Sequence, residues 1–157
     1  MSSRRLLLVL DTATRQPVLA LAQLDGQVVA EASWLSGHRH GEELLPRLDE
    51  LLANAGARPA DLVAIAAGTG PGSFTGLRIG LATAKVLAYS LAVPLVGVAT
   101  TRALGRALAA EHDGLLLLAL PAGARDMYVA RLRVGPAGVE ELGAPQLATS
   151  FRDGATE

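Results

Sequence analysis

The run Gly68-Thr69-Gly70-Pro71-Gly72-Ser73-Phe74-Thr75-Gly76-Leu77-Arg78-Ile79-Gly80 restricts what this chain can become more than any other stretch. The uncharged apolar segment Leu62-Val63-Ala64-Ile65-Ala66-Ala67 leads into it and predicts a buried strand. Gly68, Gly70, Pro71 and Gly72 then turn the backbone sharply, and Ser73 is placed to cap a helix. That helix is expected to run from Phe74 to about Leu91, with Pro94 stopping the chain from continuing it. Within it Gly76, Gly80, Ala84 and Ala88 recur every fourth position, so one stripe consists of very small side chains. Arg78 and Lys85 are its only charges, and a helix this apolar is expected to be buried nearly all round. A stripe of small residues lets another backbone come close; that backbone belongs either to a partner helix or to the chain's own sheet.

Glycines before a helix can also cradle an anion on backbone N–H groups. This loop lacks the Gly-Lys-Ser/Thr of a P-loop, and its glycine spacing is not that of the dinucleotide fingerprint. Spacing alone therefore favours a tight structural turn.

The 157 residues are enough for a real core, and half are hydrophobic while only 3% are aromatic, so Leu, Val and Ala must build it. A net charge of −1, with no basic block, does not point to autonomous nucleic-acid binding. The absence of cysteine excludes disulfides, thiol catalysis and thiolate metal sites. Arg4-Arg5 precedes an apolar run that Asp11 ends, too short for a signal core or a membrane span. A cytoplasmic protein with no membrane association is expected.

In chain order, Leu6–Leu10 predicts a central strand ending at Asp11, and Val18–Leu24 a second strand. The Asp25-Gly26 turn leads into a third over Gln27–Trp34. Asp11, Thr12 and Thr14 could hold a phosphate or its Mg²⁺, or cap their own turn; on these residues alone the turn is favoured. His38 and His40 flank Arg39, but without a third nearby ligand this reads as a solvated loop, with Glu42 and Glu43 able to join only by folding back. Leu44, Leu45, Leu48, Leu51 and Leu52 fit a helix over about Glu42–Ala55, with Pro46 in or near its first turn. After the organising helix, Pro94–Ala99 predicts a strand, and Thr100 or Thr101 can cap a helix reaching about His112. Leu115–Leu120 and Tyr128–Val134 predict a hairpin that restarts the opening meander, and signals fade beyond Gly135. Three strands followed by βα units indicate a mixed sheet with helices on its faces.

Asp11-Thr12-Ala13-Thr14, His40-Gly41-Glu42-Glu43-Leu44-Leu45-Pro46, Gly68 to Gly80, and Pro94-Leu95-Val96-Gly97-Val98, taken in this order, resemble the bacterial TsaB (YeaZ) family, relatives of the TsaD/glycoprotease proteins. The likeness runs from about Leu6 to Val134, and the Gly-Pro-Gly-Ser-Phe-Thr-Gly-Leu-Arg-Ile-Gly run is its specific part. The resemblance implies an α/β, actin/Hsp70-like (ASKHA, ribonuclease H-like) lobe of order βββαβαβα, over residues 1–112, and an incomplete second lobe over 113–157. It also implies a role in making threonylcarbamoyladenosine beside the tRNA anticodon. In that family TsaB pairs with the transferase TsaD and is joined by a small ATPase, TsaE.

Departures from the relatives limit the chemistry. TsaD proteins carry an H-x-x-x-H metal motif after the strand ending Gly-Val; the matching positions here are Thr100 and Leu104, and leucine cannot ligate a metal. Pro121 stands where TsaB-like chains usually carry an Asp facing a nucleotide phosphate. The expectation is a non-catalytic subunit with no catalytic residue, no metal and no cofactor, Asp11, Thr12 and Thr14 being its only phosphate-loop candidates. Its partners would be a TsaD-like transferase, a TsaE-like ATPase and, in isolation, a second copy of itself, with tRNA met only indirectly. The expected partner face comprises Leu44, Leu45, Leu48, Gly76, Gly80, Ala84 and Ala88. The alternatives are a TsaD/glycoprotease-like metal-dependent transferase or peptidase, and a small-molecule kinase of the same broad fold.

Overall fold

The structure, a computed structural model, describes residues 4–37, 40–123 and 126–149. A first sheet has the order β3-β2-β1-β4-β5, from Leu6–Asp11 (β1), Val18–Gln23 (β2), Val28–Ser33 (β3), Leu62–Gly68 (β4) and Leu95–Val98 (β5). β1, β2 and β3 form the expected antiparallel meander, while β4 and β5 join β1 in parallel. This mixed sheet is the actin-like, ribonuclease H-like lobe that the resemblance implied.

Helices α1 (His40–Asn54) and α2 (Phe74–Leu91) lie side by side on one face of it. Alternation along β1 sends Leu6, Leu8 and Leu10 to that face, where they meet Leu19, Leu21, Ile65, Leu44, Leu48, Leu51 and Leu52 in one continuous core. Trp34 fastens the start of α1: its Nε1 donates to Glu43 at 3.0 Å, and the Arg47 guanidinium lies 5.6 Å from its ring centre. Because α1 begins at His40, Pro46 falls in the second turn, inside the helix. The connector after α1 contains a 3₁₀ turn, Pro59–Asp61, that the sequence did not foretell.

A second sheet follows helix α3 (Thr100–Leu108) and comprises β6 (Gly114–Pro121), β7 (Asp126–Gly135), β8 (Gly138–Glu141) and β9 (Gln146–Thr149). β6 takes one edge of β7, and β8 and β9 lie end to end along the other. Together they repeat the wiring of β1, β2 and β3, with the third strand interrupted. Among the described residues β6 is paired on one side only, and Leu115 (78% exposed) and Leu117 stand on its open face. Helix α3, shorter than expected, packs on this second sheet: Gly105 lies under Leu132 and Val139, and Thr101 Oγ1 donates to the Glu141 carboxylate.

Candidate functional site

The C-terminal ends of the parallel strands β1, β4 and β5 lie together, and the chain's polar turns gather above them. Asp11 and Thr12, adjacent in sequence, leave in opposite directions as strand alternation dictates. Thr12 is buried against α2, where its Oγ1 donates to the Gly76 carbonyl at 2.7 Å. A Cβ on Gly80 would stand 2.1 Å from that hydroxyl, and one on Gly76 equally close to the Thr12 carbonyl, so both positions require glycine. Ser73 N donates to the Ala13 carbonyl at 2.7 Å, and Ser73 Oγ caps α2 by accepting from Gly76 N.

Asp11 reaches the other way. Its Oδ1 accepts from Ala13 N at 2.8 Å and its Oδ2 from Thr100 Oγ1 at 2.7 Å, across the end of β4. A Cβ on Gly68 would lie 2.2 Å from the Asp11 carboxylate carbon, so only glycine leaves the route open. Thr14 is half-buried and closes a local turn with Gln16. The three phosphate-loop candidates make separate contacts: Thr12 to α2, Asp11 to Thr100, and Thr14 within its own turn.

Beside Thr100 an open cleft of about 370 Å³ separates the two sheets, lined by Thr69, Gly70, Pro71, Ala99, Thr101, Tyr128, Glu141 and Pro145. Pro121 lies at the end of β6, paired with Met127. Among the described residues no three His, Asp or Glu side chains converge as metal ligands. His38 and Arg39, and the side chain of His40, lie outside the described residues.

Asp61, under the end of α1, carries the clearest electrostatic perturbation. The Arg58 backbone N–H donating to Oδ2 at 2.8 Å holds its carboxyl below the ordinary 3.8, against the opposing effect of burial and with help from the Arg58 guanidinium.

The expected partner face needs correction. Gly76, Gly80, Ala84 and Ala88 are all buried within this chain: the two glycines receive the Thr12 turn, and the two alanines join the core of the first sheet. No partner helix reaches that stripe while the turn and sheet cover it. Leu44 and Leu48 likewise face the core, and of the expected set only Leu45 is exposed. The opposite face of α2 is the one left open. Phe74 is 73% exposed, Val86 64% and Tyr89 90%, and Leu45 on the neighbouring α1 is 51% exposed. A shallow groove of about 280 Å³ on the same helix is lined by Thr75, Arg78, Ile79 and Ala82. Arg78 stacks its guanidinium 5.5 Å from the Phe74 ring centre. The sequence held a signal for this face: Tyr89 lies nine residues after Gly80, about 180° round a helix of 3.6 residues per turn.

The family model for TsaD, tRNA N6-adenosine threonylcarbamoyltransferase, matches residues 34–149. The chain is 40% identical over 94 residues to the tRNA threonylcarbamoyladenosine biosynthesis protein TsaB of Escherichia coli, covering 60% of this chain and 40% of that one. It is 35% identical over 136 residues to an uncharacterised protein of Mycobacterium tuberculosis, covering 83% of this chain and 63% of that protein. Among solved structures, YeaZ from Pseudomonas aeruginosa superposes with a TM-score of 0.82 at 27% identity, over 92% of this chain and 68% of its own. The chain thus spans between 40% and 63% of the length of these two curated relatives.

Proposed function

This chain belongs to the TsaB (YeaZ) family of TsaD-type domains, and on that premise we propose that it is a non-catalytic subunit supporting threonylcarbamoylation of the adenosine beside the tRNA anticodon. Its role is to dock. The partner is a TsaD-like transferase, with a TsaE-like ATPase in the same assembly, and a second copy of this chain takes that place in isolation. The work is cytoplasmic, and no described helix is long and apolar enough to cross a membrane.

The observation that supports this reading is the exposed outer side of α2, where Phe74, Val86 and Tyr89 stand with Arg78 and Lys85, and the exposed Leu45 on the neighbouring α1. Large apolar side chains grouped on a helix pair are the usual core of a protein interface, with aromatic anchors carrying most of the binding energy. The four small residues of α2 act indirectly: by letting the helix sit close on its own sheet, they fix the angle at which the outer face is presented. Leu104, at the second position of the relatives' histidine motif, supplies no metal ligand, which fits a supporting role.

The test is co-purification of this chain with the TsaD-type protein of its own organism, with and without Val86→Asp. Co-elution that Val86→Asp abolishes, with the variant still folded, is the expected result. Failure of the unaltered chain to co-elute, or co-elution indifferent to Val86→Asp, would overturn the docking face.

A further inference from the structure

The Asp11–Thr100 contact joins two parts of the molecule that otherwise have separate cores. Asp11 ends β1, at the centre of the first sheet, while Thr100 begins α3, whose main packing is on the second. Thr100 is buried, and its groups make three hydrogen bonds back to the first sheet's loops. Its N–H donates to the Gly70 carbonyl at 2.9 Å, its Oγ1 accepts from Gly70 N at 3.1 Å, and its Oγ1 donates to Asp11 Oδ2 at 2.7 Å. The next residue, Thr101, is buried and turned toward the second sheet, where it donates to Glu141. Two successive threonines thus hold opposite sides of the junction.

We propose that Asp11 and Thr100 form a clamp that sets the orientation of the second sheet relative to the first. The carboxylate, a phosphate-loop candidate in the sequence with a turn as its favoured role, serves here as a positioning group. Three features give the clamp its stiffness. Ala13 N fixes the carboxylate rotamer through Oδ1, leaving Oδ2 aimed at Thr100. Gly68 lets it cross the end of β4 without obstruction. Thr100, the donor, is itself buried, so water competes little for its hydroxyl. The covalent route between the sheets runs directly from β5 through Ala99 into α3, so a rotation at that point would carry α3 and the second sheet together. The open cleft lined by Gly70, Ala99, Thr101, Tyr128 and Glu141 lies at this joint, and its width would follow the clamp.

The chain has no cysteine, so spin labels can be placed singly. Labels on Asp49→Cys and Leu117→Cys, both exposed, report the distance between the two parts by pulsed electron paramagnetic resonance. The clamp predicts one narrow distance distribution for the otherwise unaltered chain and for Thr100→Ser, which keeps the hydroxyl. Thr100→Val and Asp11→Ala should each broaden or shift it, while circular dichroism shows both sheets intact. Distributions for Thr100→Val and Asp11→Ala that superimpose on the parent would overturn the proposal. Hydrogen exchange on the unaltered chain decides the matter if those variants do not fold. The Gly70 and Thr100 amides should exchange as slowly as those of the β4 core, and exchange at the rate of the Asp25-Gly26 turn would refute the clamp. Mg-ATP added to the labelled chain gives a further arm: narrowing confined to the Asp11→Ala variant supports a clamp, whereas nucleotide that reshapes the parent distribution and fails to bind Asp11→Ala returns the carboxylate to a phosphate site.

Discussion

On one side of α2, Gly76 and Gly80 receive the Thr12 turn while Ala84 and Ala88 close onto the core; on the other, Phe74, Val86 and Tyr89 stand in solvent. The inner side is wholly apolar, while the outer side sets Arg78 and Lys85 beside its large apolar residues, so charge already separates the two. Side-chain size separates them further. The small side was selected by a backbone that approaches from within the chain, and the large side keeps the surface that a second chain can cover. Two faces of one helix therefore carry different burdens, one for folding and, in the proposed function, one for association, and substitutions should distinguish them.

Gly80→Leu should produce the largest effect on stability. Its side chain would displace Thr12, and overpacking of this kind typically costs about 1–3 kcal/mol. Urea or thermal melting should show a marked loss of stability, with the oligomeric state of the remaining folded protein unchanged by sedimentation. A Gly80→Leu protein that melts normally but no longer associates would reverse the assignment of the two faces.

Val86→Asp and Tyr89→Ala should show the complementary pattern. Interface anchors of this type lose about 2 kcal/mol or more on truncation, or roughly thirtyfold and upward in affinity. Melting should move little, since exposed substitutions usually stay within about 0.5 kcal/mol. Sedimentation equilibrium and co-elution with a TsaD-type protein measure the loss, and a large stability change in either variant would show that this face belongs to the fold.

How much of this was legible beforehand differs between the two sides. Helix α2 is read from the sequence with its correct bounds because Ser73, the spacing of its apolar residues and Pro94 all mark it. Strands β1 to β7 are legible for similarly local reasons. The destination of the small stripe is not, because a glycine row has the same appearance whether a partner or the chain's own turn fills it. What decides is Thr12, 64 residues from Gly76, and no local pattern announces so distant a contact. The role of Asp11 was hidden similarly: its partner Thr100 is 89 residues away. β8 and β9 escaped notice because they are short and mostly exposed, so they carry little apolar alternation.

A finer probe of the small side is Thr12→Val, which keeps the shape and removes the hydroxyl that donates to Gly76. Loss of a buried hydrogen bond costs about 1 kcal/mol, more where the abandoned carbonyl has no other donor. Chemical denaturation should detect it with no change in association, and an equal loss in both would couple the two faces after all.

The smallest effect should come from Asp61, which lies under neither face. Because the fold lowers its pKa, the contribution it makes is present above the unfolded value of 3.8 and fades as the pH falls through the folded one. Asp61→Asn should therefore lower stability at neutral pH, and the gap to the parent should narrow toward strongly acid pH. Parallel stability curves across that range would show that Arg58 gives the carboxylate no preference for its charged form.

The second sheet carries one further consequence. In the first sheet β1 has neighbours on both edges, β2 and β4, whereas its counterpart β6 has only β7 among the described residues. A row of unspent peptide groups, with Leu115 and Leu117 beside it, is a template that any extended segment can copy. An extended segment that paired there would lengthen the second sheet through main-chain hydrogen bonds, with Leu115 and Leu117 offering it an apolar surface.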